Sequence, residues 1–351
     1  MAQLSRREAL GALAAAGLGQ TAHAADGVVR VRRLVDRPIV TSGMDTRMGA
    51  NIEGPSLIRT PGWLPGRMGR YYLYFADHKG DYIRLAYADR LEGPWRVHAP
   101  GSLQLAQSGF PTATPPVPED VEALLAAAGA SRAPAGTPDI PTALDDATLP
   151  HIASPDVHVD AANRRIVMYY HGLVSFGVQR SRVAVSENGI EFRSVGGVIA
   201  APYLRVFRHD NYHYAMSMPG LFWRSRDGIS DFERGPGLFE ADQRHSALRK
   251  RGDTLEVYWT RVGDTPERIY LSTVDLRPDW AAWKATPPVE ILRPEREWEG
   301  AGLPLVPSYR SAVNRSVNQL RDPAIYQEDG RTYIVYAVKG EGGLGIAELV
   351  G

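Results

Sequence analysis

Apolar and polar positions alternate along this chain in short runs, without the sustained three-to-four spacing of long amphipathic helices. Five segments share one grammar: an apolar or aromatic strand, a short polar break and a second strand, usually followed by an acidic or Gly turn and an aromatic. They begin at Tyr71, Arg165, Tyr212, Thr254 and Arg331. Each follows another apolar strand that ends in a polar turn, as in YLRVFRHDN and RDPAIYQEDG. Asp-Asn, Gly-Asp and Asp-Gly are tight-turn dipeptides between strands. Repeats spaced by about 45 residues match one propeller blade. The pattern predicts an all-β fold, a five-bladed β-propeller with two loop insertions at 101–150 and 285–318. A sandwich would not repeat such a unit, and a β-helix would repeat at a shorter period. The strand Val28 to Val35 is expected to complete the last blade beside the C-terminal strand. A helix is expected from Glu119 to Ala128, with Pro118 suited to its start. Long insertions in a compact domain tend to be lids or binding loops.

Residues 1–25 stand apart from this pattern. Arg6-Arg7 precedes a short Ala/Gly-rich apolar run, and Ala22-His23-Ala24 supplies a cleavage pattern. This predicts a twin-arginine export signal, a propeller domain over 26–351, and a periplasmic or secreted protein without membrane insertion in its mature form. The chain has no Cys, so the domain must rest on its core alone. Lys+Arg and Asp+Glu both total 40. This balance argues against a nucleic-acid partner, which would want a basic excess.

In an up-and-down blade, the start of the first strand and the finish of the second lie at the same end. The starts carry Asn51 and Glu53, His151 and Asp156, Tyr203 and Arg205, Arg244 and His245, Arg321 and Asp322. The finishes carry Asp77 and His78, His171, Ser217, Arg261 and Lys339. Strand ends are often polar because they emerge into water, but five blades would gather these groups at one channel mouth. Glu53, Asp156, His171, His245 and Asp322 are the candidate catalytic residues. Asn51, His78, His151, Tyr203, Arg205, Arg244, Arg261, Arg321 and Lys339 are the candidate substrate-binding residues. Asp160, Asp210, Asp253 and Asp329 fall at the opposite end and are read as turn residues.

The segments NQLRDPAIYQEDGRTYIVYAVKGEGGLGIAEL and SPDVHVDAANRRIVMYYHG resemble the five-bladed propeller glycoside hydrolases, family 43 and its relatives. Arg321-Asp322-Pro323, Ser154-Pro155-Asp156 and Glu53-Gly54-Pro55 echo the acidic residue and Pro that open those blades. The resemblance implies a base near Glu53 and an orienting carboxylate near Asp156. The third blade departs from the family, offering Tyr203 and Arg205 where its acid Glu is expected.

The first expectation is therefore a glycoside hydrolase acting on a carbohydrate with anionic or furanosidic sugars. Asp156 or Glu53 would be the base, and a His or second carboxylate the acid. The second is a polysaccharide lyase, with a His or Tyr base and Arg neutralising a uronate. The third is a non-catalytic carbohydrate-binding propeller. No cofactor is expected; His78, His151, His158, His171 and His245 could supply an axial metal ion if they meet.

Overall fold

A computed structural model of the chain describes residues 29–127, 133–134 and 136–351. The segment expected to be an export signal lies outside the described residues. Two short strands come first, β1 (Arg30–Arg33) and β2 (Val40–Thr41). Blade one follows as β3 (Glu53–Arg59), β4 (Tyr71–Ala76), β5 (Tyr82–Ala88) and β6 (Arg96–Gln104). Two helices, α1 (Val121–Ala127) and α2 (Ala143–Thr148), precede blade two. That blade is β7 (Ile152–Asp160), β8 (Arg165–Ser175), β9 (Val178–Ser186) and β10 (Arg193–Ala200). Blade three is β11 (Arg205–His209), β12 (Tyr212–Ser217), β13 (Leu221–Ser225) and β14 (Glu233–Gly237). Blade four is β15 (Gln243–Arg251), β16 (Thr254–Arg261), β17 (Ile269–Asp275) and β18 (Val289–Leu292). Blade five is β19 (Arg321–Glu328), β20 (Arg331–Val338) and β21 (Gly343–Val350), completed by β1, whose Arg30 pairs with Val350.

All pairings within the blades are antiparallel, and blades one to four run in chain order from the axis outward, whereas blade five ends in β1. The fold is thus the expected five-bladed propeller. The fourth strands of blades one and four, β6 and β18, take up parts of the stretches read as insertions.

The second strands are buried on both faces because each blade packs between two neighbours. In β4, Leu73 and Phe75 pack toward Val335 and Ile346 of blade five. Tyr72 and Tyr74, on the other face, pack against Met168 and Tyr170 of blade two. The remaining interfaces repeat the arrangement: Tyr169 and Val183 with Ala215, Phe207 and Phe222 with Val257 and Trp259, Tyr258 and Ile269 with Ile334 and Tyr336. The core is therefore five inter-blade layers around a ring, which explains why the strand pattern shows little alternation.

Candidate active site

The inner strands do not enter the channel as regular strands. Gly54, Ser154, Tyr203, His245 and Asp322 occupy corresponding places in the five blades, and all have positive φ, between 38° and 61°. Register shifts accompany four of them, between Glu53 and Ser56, Ala153 and Asp156, Arg244 and Ser246, and Arg321 and Ala324. A bulge re-aims a side chain that regular alternation would turn into the sheet. Left-handed backbone costs a non-glycine residue about 1–3 kcal/mol, and such strain concentrates at functional sites. Only in blade one does crowding demand glycine, because a Cβ on Gly54 would stand 2.6 Å from Ser154 Cα.

These five positions meet around the axis. Ser154 donates from its amide to Glu53 Oε1 at 3.0 Å and from its hydroxyl to Oε2 at 2.7 Å. Tyr203 donates its hydroxyl to Asp322 Oδ1 at 2.8 Å. The Tyr203 and His245 rings lie 5.3 Å apart, and His245 Nε2 is 3.5 Å from Asp322 Oδ1.

Beside this ring runs a buried ion-pair network. Arg321 reaches Glu341 Oε1 at 2.7 Å and Glu267 Oε2 at 2.9 Å. Arg244 Nη2 lies 2.9 Å from His245 Nε2, and its Nη1 donates to the Tyr309 carbonyl at 2.5 Å. Arg205 stacks over Tyr203 at 4.2 Å and donates to the carbonyls of Ser154 and Ser246. Asn51 bonds Glu341 and the Asn314 side chain.

The environment divides the carboxyls. Burial, with Glu53 and Glu341 nearby, holds the Asp322 carboxyl protonated well above the ordinary range. Burial likewise raises Glu53, against the opposing pull of His78 and Ser154. For Glu341, Arg321 and His78 outweigh burial and keep it ionised. Burial keeps His171 and His245 neutral, helped by neighbouring positive groups. His151 is pushed down to about 3, chiefly by burial.

Over the mouth, the two insertions close together. Asp146 of α2 accepts from Ser311 Oγ at 2.7 Å and pairs with Lys79 at 3.0 Å, while the Asn314 amide donates to the Asp139 carbonyl at 2.8 Å. They leave a cavity of about 370 Å³ lined by His78, Lys79, Asp146, Ser154, His171, Arg180, Tyr203, Arg244, His245, Arg310 and Ser311, among others.

Of the sequence-predicted residues, His78, His171, Tyr203, Arg244 and His245 line this cavity. Asn51, Glu53, His151, Arg205, Arg321 and Asp322 are buried around it. Three stand apart. Asp156 faces a second channel opening, bonded to His158 Nε2 and the Val206 amide at 2.8 Å each. Arg261 lies 3.5 Å from Asp242, over Trp259 and Tyr270. Lys339 joins through its backbone, donating to the Glu299 carbonyl at 3.1 Å.

Glu267, Glu341 and Lys79 were not singled out from sequence. All three sit in hairpins between the second and third strands of their blades, which the same antiparallel geometry brings to the mouth. Reading those hairpins, GDTPERI and KGEGG among them, would have found both acids.

His245, Asp322 and Glu341 place ligand-type atoms within 4.8 Å of one another. Arg244 on His245 Nε2 and Arg321 on Glu341 already supply positive charge to two of those three groups, so this donor set fits an ion-pair network better than a cation.

No protein-family model matches the chain. The GH43_1 enzyme of Xanthomonas citri, solved with xylose, superposes with a TM-score of 0.53 at 11% identity, covering 90% of each chain. An N-acetylgalactosamine deacetylase from F. plautii, solved with blood group B trisaccharide, gives 0.50 at 12% identity, covering 91% of this chain and 95% of its own. Uncharacterized protein R118 of Acanthamoeba polyphaga mimivirus is 38% identical over 326 residues, which cover 85% of this chain and 83% of R118. The chain belongs to the same family as R118, and its fold is that of the five-bladed family-43 glycoside hydrolases.

Proposed function

We propose that the protein cleaves glycosidic bonds of a saccharide carrying anionic groups, at the roofed mouth of the channel. One observation carries this reading. Neutral His171, with its buried Nδ1 unpartnered, stands in the same cavity as the Tyr203 hydroxyl, which is bonded to a protonated Asp322. A neutral imidazole accepts a proton, and a phenol backed by a carboxylic acid can supply one. Lys79, Arg180, Arg244 and Arg310 face the cavity against the single carboxylate of Asp146, which suits a uronate or sulfate.

In hydrolysis, the imidazole takes a proton from water as the water oxygen bonds to the anomeric carbon. The glycosidic C–O bond breaks, and the leaving oxygen is protonated from the Tyr203–Asp322 pair. Glu53 is unsuited as the base because Ser154 engages both its oxygens, and Asp156 faces the other opening. The base role therefore passes to a histidine.

The scarcity of carboxylates on the cavity wall also favours a second reading, elimination across a uronic acid. Histidine would then take the C5 proton, Tyr203 would protonate the leaving oxygen, and arginine would neutralise the uronate. Incubation with a panel of uronic-acid and sulfated polysaccharides tests both. New reducing ends without ultraviolet absorbance identify hydrolysis, and absorbance of an unsaturated uronide identifies elimination. Neither product from any polysaccharide would overturn the cleavage reading.

A further inference from the structure

The roof over the mouth is lopsided. Segment 306–318 is fastened to blade four through Ser308, whose carbonyl and amide bond Gly263 and Asp264 at 3.0 Å each. It is fastened to blade five by the Val313 amide on Glu341 at 3.3 Å, and to blade one by Asn51. Helix α2 covers the junction of blades one and two, where the Gly177 amide donates to the Ala147 carbonyl at 2.9 Å. Among the described residues, the roof meets blade three at its link to blade four, where Arg310 donates to the Ala241 carbonyl at 2.6 Å. The second and third strands of blade three are joined by Met218-Pro219-Gly220, and Pro219 is exposed. Around the cavity, Arg205, Arg321 and Asp322 are buried.

A saccharide crossing the mouth would need two exits. Among the described residues, α2 and segment 306–318 cover the sides of blades one, two, four and five, while blade three contributes wall residues such as Tyr203 and Pro219. From this geometry we infer that the site takes a chain end, binding one or two sugar residues and releasing them from the terminus. The volume of about 370 Å³ lies at the small end of ligand sites. The Asp146–Ser311 and Asp139–Asn314 bonds join the two insertions and together set this limit. The inference rests on the cleavage reading for its products, but not for its binding geometry.

The test uses oligogalacturonides and oligoalginates of two to eight residues, labelled at the reducing end, with the full chain. Terminal action gives monomer or dimer as the first product at every length, with a label ladder that shortens stepwise. Mid-length fragments among the earliest products would overturn the inference. If no probe is cleaved, the cleavage reading fails for these polymers, and affinity for the same series decides the geometry. Affinity that levels off at two residues supports a chain-end pocket; a tenfold or greater rise from two to six residues, or no binding at all, overturns it. Asp146→Ala, which removes the side-chain tie between the insertions and leaves the Asn314–Asp139 bond, should raise the share of products longer than two residues. An unchanged product profile in that variant would show that the roof does not set the limit.

Discussion

At the mouth, Arg244, Arg321, Glu267, Asp322 and Glu341 are all at most 2% exposed. At the opposite end of the same strands, Arg59 and Arg70 pair with Glu328 while their side chains are 52% and 45% exposed. Both ends hold non-glycine residues at positive φ, but for different reasons. Asp210 and Asp329 sit in hairpin turns that demand that conformation. Tyr203, His245 and Asp322 sit at strand starts, where no reversal of the chain requires it. Strain without a turn to explain it, together with buried charge, singles out that end as the candidate site.

The sharpest way to break this contrast is Asp322→Asn. Asn tolerates the left-handed backbone and replaces a group that is already uncharged, so the thermal midpoint should stay within a few degrees. Turnover should fall about 10²- to 10⁴-fold, the usual share of an acid catalyst. A variant that keeps full turnover would remove the Tyr203–Asp322 pair from the mechanism.

Next in size is Arg321→Met, which leaves Glu341 and Glu267 buried without their shared partner. Denaturant unfolding should show a loss of about 3–5 kcal/mol, whereas Arg59→Ala at the other end should cost below about 1 kcal/mol. Equal losses would mean that burial does not separate the two ends.

Acid distinguishes them by sign. His151 drops from 6.5 to about 3 on folding, so the folded state binds fewer protons than the unfolded chain between those values. Stability should therefore fall as pH drops below 6.5, by about 3 kcal/mol from this residue between pH 7 and 4. His151→Phe should flatten that slope in unfolding curves measured from pH 7 to 4. At the other opening, burial disfavours the charged form of His158, but Asp156 outweighs it and raises the value. That contribution is present below 6.5 and is lost as pH rises through the raised value. With the His158 side chain 41% exposed, it should stay under about 1 kcal/mol, and His158→Ala should leave the acid slope unchanged.

The ring was legible because its signal is repetition. Five copies of strand, turn and strand fix the blade count, and the leftover strand near Val31 pairs with β21 as ring closure requires. Eleven of the fourteen site residues surround one mouth because antiparallel pairing dictates which strand ends coincide. The rest was hidden by local backbone. The left-handed step at Ser154 breaks the alternation between Ala153 and Asp156, so proximity in sequence to the strand start did not keep Asp156 at the mouth. Asp156 and His158 do share a side, as alternation requires, but at the other opening. Glu267 and Glu341 escaped notice because they sit inside turns, where acids are common for solvation alone.

Blade five joins Arg30 to Val350, the two extremes of the ring's circuit. During synthesis, the outermost strand of that blade emerges before the other four blades and must wait for β21, which follows them in the chain. Until then, the growing chain presents unpaired β21-facing amides on one side and an unfinished interface on the other. Closure of the ring is thereby tied to the emergence of β21, and a chain cut short before that strand is left as an open arc with an exposed edge.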